Sequence, residues 1–131
     1  MSYDKINRMA FVFPEFDFGG GAAEDFSFRL PTGFKGRLVK IGVAITEAFS
    51  CDASNASVEL GVSGNTDAYA KLTIADGAAD KDFFDETDDA DAILAEDIDA
   101  DTLLLVTLTN GTDGSGVTGK GIPILEFEIY D

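Results

Sequence analysis

No histidine and no tryptophan occur in these 131 residues, and cysteine occurs once. Without histidine the chain lacks the side chain that most often serves as general base and metal ligand. A single thiol, Cys51, cannot close an internal disulfide, so nothing points to an oxidising compartment, and no imidazole is there to activate it as a nucleophile. Besides Phe, only Tyr3, Tyr69 and Tyr130 offer rings that could stack on a sugar. Long apolar runs are also missing. No window approaches the ~20 residues that cross a bilayer, and the opening "MSYDKINRMAFVFPEFDF" mixes charge into its apolar run, unlike a signal peptide. The glycines of "GTDGSGVTGKG" lack the G-x-x-x-x-G-K-[ST] spacing of a phosphate-binding loop. From these absences we expect no enzyme and no cofactor.

Positive charge is scarce, with 9 Lys and Arg against 25 Asp and Glu for a net charge of -16. Phosphates repel such a chain, so neither nucleic acid nor an anionic membrane is an expected partner. Yet 45% of the residues are hydrophobic and eleven are Phe, far too many for a disordered acidic chain. The charge must therefore sit on the surface of one folded domain.

The apolar residues recur with period two, the mark of half-buried strands. Phe16 and Phe18 alternate with Glu15 and Asp17, and Phe26, Phe28 and Leu30 alternate with Asp25, Ser27 and Arg29. "GRLVKIGVAITEAF" places Val39, Ile41, Val43 and Ile45 on one face and Lys40, Gly42, Ala44 and Thr46 on the other. "ASVELGVS", "DAYAKLTI", "DTLLLVTLTN" and "GIPILEFEIYD" continue the alternation, with Leu125, Phe127 and Ile129 opposite Glu126 and Glu128. Turn signals separate the runs: "GGG" at 19–21, "PTG" at 31–33, "SGN" at 63–65, "ADG" at 75–77 and "NGTDGSGVTG" at 110–119. This cadence predicts an all-β chain: a single antiparallel β-sandwich, a jelly roll of about eight strands. An immunoglobulin-like sandwich is the alternative, without its Cys…Trp…Cys signature. The one helical candidate, "DDADAILAE", also reads as a short strand around Ile93 and Leu94.

Three stretches invite a functional reading. The run 80–101, "DKDFFDETDDADAILAEDIDAD", matches an EF-hand loop at Asp85, Thr87, Asp89, Asp91 and Glu96 but has Ala90 where the sharp turn needs Gly. A looser calcium site of Asp85, Asp88, Asp89 and Asp91 stands against a solvated connection anchored inward by Phe83, Phe84, Ile93 and Leu94; we expect the connection. Arg29, Lys35, Arg37 and Lys40 form a local basic patch, either a contact for an acidic partner or residues paired with neighbouring acids. Finally, Phe11, Phe13, Phe16 and Phe18 cluster around Pro14 before a triple glycine. That pattern divides the chain into a Phe-rich strand or arm, 1–25, and the sandwich, 26–131. The arm docks on another chain, or its rings are first-strand core.

In order and texture, "GRLVKIGVAITEAF", "ASVELGVSGNTDAYAKL" and "DADTLLLVTLTNGTDGSGVTGKGIPILEFEIYD" resemble jelly-roll capsid decoration, or cement, proteins of tailed bacteriophages. The resemblance covers roughly residues 26 to 131 and implies a structural virion protein on the outer capsid surface. It would clamp neighbouring copies of the major capsid protein, as a homotrimer at local three-fold positions. Phe11, Phe13, Phe16 and Phe18 would then serve as anchoring arm, and Arg29, Lys35, Arg37 and Lys40 as the electrostatic contact. The competing expectation is a carbohydrate- or receptor-binding β-sandwich, calcium-assisted through Asp85, Asp89 and Asp91.

Overall fold

A computed structural model describes residues 7–20, 22–51, 53–94, 97–112 and 116–130. Among the described residues ten strands form: β1 (Asn7–Val12), β2 (Phe16–Asp17), β3 (Glu24–Phe28), β4 (Lys35–Ser50), β5 (Ser57–Val62), β6 (Asn65–Thr73), β7 (Phe83–Asp85), β8 (Asp97–Ile98), β9 (Leu104–Thr109) and β10 (Thr118–Tyr130). Two antiparallel sheets face each other, one ordered β1-β10-β4-β7 and the other β3-β9-β5-β6. β2 continues the position of β1 along β10, and β8 continues that of β7 along β4. Ten strands thus fill eight positions. First pairs with last and third with ninth, the order a jelly roll requires.

The alternation explains the layers. Leu125, Phe127 and Ile129 of β10 meet Ile41, Val43 and Ile45 of β4 on the inner face of one sheet, and Val58, Leu60, Leu72, Val106 and Leu108 fill the other. Aromatic rings bridge the sheets where β1 lies over β3: Phe11 and Phe28 stand 4.7 Å apart, and Phe13 and Phe26 5.5 Å. Register shifts correct the simple alternation. In β4 a register shift opposite Glu126 and Phe127 turns Leu38 inward and leaves Val39 half-buried. In β5 a shift between Leu60 and Val62 leaves Val62 half-exposed.

Of the two alternatives for the Phe-rich stretch, the described residues adopt the strand. Residues 7–12 and 16–17 pair with β10, and Phe16 and Phe18 are 8% and 0% exposed. The proposed boundary at residue 25 falls inside β3. Pro14 does interrupt the strand, since β1 ends at Val12 and β2 begins at Phe16. These rings close a hydrophobic core, so Phe16 and Phe18 cannot reach a partner without the domain opening.

Candidate docking face

The outer surface of the β1-β10-β4-β7 sheet gathers most of the chain's scarce cations. Arg8 projects there from β1, Lys35, Arg37 and Lys40 from β4, and Lys120 from β10, five of the nine in the sequence. The β4 bulge makes this possible: Arg37 and Lys40, three residues apart, pair with Glu128 and Glu126, two residues apart on one face of β10. Arg29 belongs elsewhere. It follows β3 at the end of the other sheet, so the expected four-residue patch reduces to three on this face.

Cross-strand register arranges these charges in rows. One row runs Arg8, Glu128, Arg37, Asp97 across β1, β10, β4 and β8, alternating in sign at every step. The Arg8 guanidinium reaches Glu126 at 3.2 Å and Glu128 at 3.5 Å. Arg37 donates to one Asp97 oxygen from Nη2 at 2.8 Å and from Nε at 3.1 Å. Asp97 holds Arg37 above its ordinary pKa, and Arg37, together with Tyr130, holds the Asp97 carboxyl below its own. Burial, then Asp97, raises Tyr130. The Arg8 and Arg37 side chains are about half exposed, so solvent screens these pairs and they add little to stability.

The second row runs Ala10, Glu126, Lys40 and ends on the acidic connection. Lys40 Nζ lies 2.8 Å from Asp85 and 3.8 Å from Glu86. Burial would raise Asp85, but hydrogen bonds from Lys40 and Thr87 outweigh it and hold the carboxyl below its usual value, while Asp85 raises Lys40.

Beyond the charged rows lies an apolar strip. Val12, 66% exposed, pairs with Ile124, which pairs with Gly42, and Ile122 pairs with Ala44. The Phe83 ring, 38% exposed, crosses over Gly42 with the Lys40 ammonium 5.0 Å from its centre. A Cβ at residue 42 would sit 2.4 Å from that ring, so the ring can lie there only over glycine. Val12, Ile122, Ile124, Glu126, Glu128 and Asp97 were not among the residues singled out in the sequence. The available signal was two isoleucines on the outward parity of a strand whose inward parity is already apolar.

The acidic run does not assemble a cation site among the described residues. Its carboxylates hold the chain instead. Asp85 accepts from the Thr87 N–H and hydroxyl, Asp88 accepts from the Asp85 N–H, Asp89 from the Thr73 N–H, and Glu86 from the Ile41 N–H. Asp91 is exposed at a turn, apart from these; Glu96 lies outside the described residues. The run is anchored, with Phe84 and Ile93 of the four expected residues packed against the core. Phe83 and Leu94 are exposed, Phe84 and Ile93 half-buried, and the buried anchors are Asp85, Ala92 and Ile98. Ile93 bridges Ala70 in a strand-like pairing, with backbone bonds from Lys71 to Ala92 and from Leu94 to Tyr69.

The tyrosines are not brought together: Tyr130 ends β10 in one sheet, Tyr69 lies in β6 of the other, and Tyr3 is outside the described residues. A cleft of about 600 Å³ at one end of the second sheet, lined by Asp25, Ser27, Ser63 and Leu103 among others, has no aromatic wall. Compared with known families, curated proteins and solved structures, the chain matches none.

Proposed function

We propose that this chain is a structural binding module that adds contacts between subunits of a larger assembly, and that the assembly is the outer shell of a tailed-phage capsid. The observation that carries this is the concentration of five of nine cations, with half-buried Ile122 and Ile124 between exposed Val12 and Phe83, on one sheet face of a molecule with net charge -16. Elsewhere the surface is acidic and keeps particles apart; here an approaching protein meets near-balanced charge and apolar area. The identity of the shell comes from the resemblance to decoration proteins, whose jelly-roll fold this chain shares.

The reading is of a binding face. Asp85 and Asp97 are pushed down and Lys40 and Arg37 up, so these groups stay charged at neutral pH and present fixed charges to a partner. Repetition over a symmetric shell would multiply weak single contacts into firm retention.

The test is to label purified particles with an antibody to the chain and image them, beside co-sedimentation of the protein with shells lacking it. Regular labelling of the shell, with co-sedimentation lost in Ile124→Glu, is the expected result. Labelling confined to the tail, or none, would overturn the capsid assignment.

A further inference from the structure

We infer that, in free solution and in exchange with the shell contact proposed above, a second copy of this chain covers the same face, related by a two-fold axis that runs parallel to the strands between β10 and β4. The order of charges in the first row fits such a partner. Read across the sheet it is plus, minus, plus, minus: Arg8, Glu128, Arg37, Asp97. A two-fold axis along the strands reverses the row on the opposing copy, so Arg8 meets Asp97 and Glu128 meets Arg37. Every position then faces its opposite. Had the row held an odd number of alternating charges, each end would meet its like. Isologous contacts require this self-complementarity, and a row of four alternating charges provides it.

The rest of the face agrees. The same rotation keeps the strands of the two copies aligned, the usual geometry for sheet-on-sheet packing at ~10 Å. The apolar strip is laid on its counterpart, with exposed Val12 toward the end occupied by Phe83. Twelve paired positions each of β10 and β4, with the shorter β1 and β2 on one side and β7 and β8 on the other, at ~3.3 Å by ~4.8 Å apiece outline on the order of 600 Å² per copy, the lower end of stable interfaces. Two chains of charge -16 repel each other over most of their surface, which leaves this near-balanced face for close approach.

The inference uses the face of the function proposed above but not the identity of the shell, and sedimentation equilibrium of the isolated full chain tests it without particles. The wild type is expected to be a dimer at micromolar concentration. Arg8→Glu alone and Asp97→Arg alone each place two like-charge pairs across the axis, and each should weaken dimerisation at least ~10-fold. An equal mixture of the two variants makes every facing pair opposite again, so heterodimers should form. All these side chains are exposed, and unchanged circular dichroism would confirm that the variants fold. Val12→Glu should weaken the dimer through the apolar strip. A wild-type monomer at 100 µM (~100-fold above a micromolar Kd) would overturn the inference, as would a trimer or variants that dimerise normally. Failure of the mixture to restore dimers would overturn the axis proposed. None of these outcomes bears on whether particles carry the chain.

Discussion

Along the side of the sandwich where β1 lies over β3, Phe11, Phe13, Phe26 and Phe28 stack across the gap between the sheets. Along the opposite side, where β6 approaches β7 and β8, the gap is crossed by acidic chain whose backbone bonds to β6 and whose carboxylates accept from backbone N–H groups. One edge is closed by apolar area and the other by hydrogen bonds. A segment's composition does not announce its role. The Phe-rich stretch is a fixed part of a sheet, and the acid-rich stretch is a structural brace.

The largest effect should come from removing the aromatic edge entirely. Deleting residues 1–18 takes away β1, β2 and the buried Phe16 and Phe18. At ~3–5 kcal/mol for each buried Phe truncated to Ala, the two rings alone approach a stability of ~5–15 kcal/mol. The truncated chain is expected to lose its sheet-type circular dichroism and its cooperative melt. If it melts cooperatively and still binds as the full chain does, the two edges are not equivalent and the first is dispensable.

A milder break on the same edge is Phe28→Ala. This ring is half-buried against Phe11, Phe13 and Phe127, so a loss of about 2 kcal/mol is expected in urea denaturation. On the acidic edge, Asp89→Ala leaves the Thr73 N–H without its carboxylate, and Lys40→Met leaves Asp85 without its ammonium. Each should cost ~1–3 kcal/mol. If both are silent, the acidic edge is not a brace.

The Lys40–Asp85 pair also predicts a pH dependence. Because the folded Asp85 pKa lies below its unfolded value, the carboxylate adds stability above the ordinary range near ~3.9. That stability disappears as pH falls through the lowered folded value. Wild type should therefore lose more stability than Asp85→Asn between pH 5 and pH 2 (roughly the interval over which such a carboxylate titrates). Parallel curves would show that Asp85 does not contribute. The smallest expected effect is that of calcium. With the carboxylates engaged by N–H groups and Lys40, exchanging calcium for chelator should leave the melting temperature nearly unchanged. A rise above ~5 °C, about 1 kcal/mol in a domain this size, would show that the edge holds an ion after all.

Fold class and most of the core were legible along the chain. Period-two alternation is a direct consequence of strand geometry, so Ile41, Val43, Leu125 and Phe127 could be placed inward without knowing their neighbours. Pro14 likewise broke its strand for a reason internal to proline. Tertiary structure decided where each strand's outward residues meet. The β4 bulge sets Arg37 beside Lys40 on one face, although strict alternation would have placed Arg37 with Val39 on the inner one. It also brought Arg8 next to Glu128, 120 positions away, and Asp97 next to Arg37, 60 positions away. A row of charges spread over four strands has no period in the chain, because its order is fixed by strand pairing, and pairing is paid for by burial on the other side of the sheet.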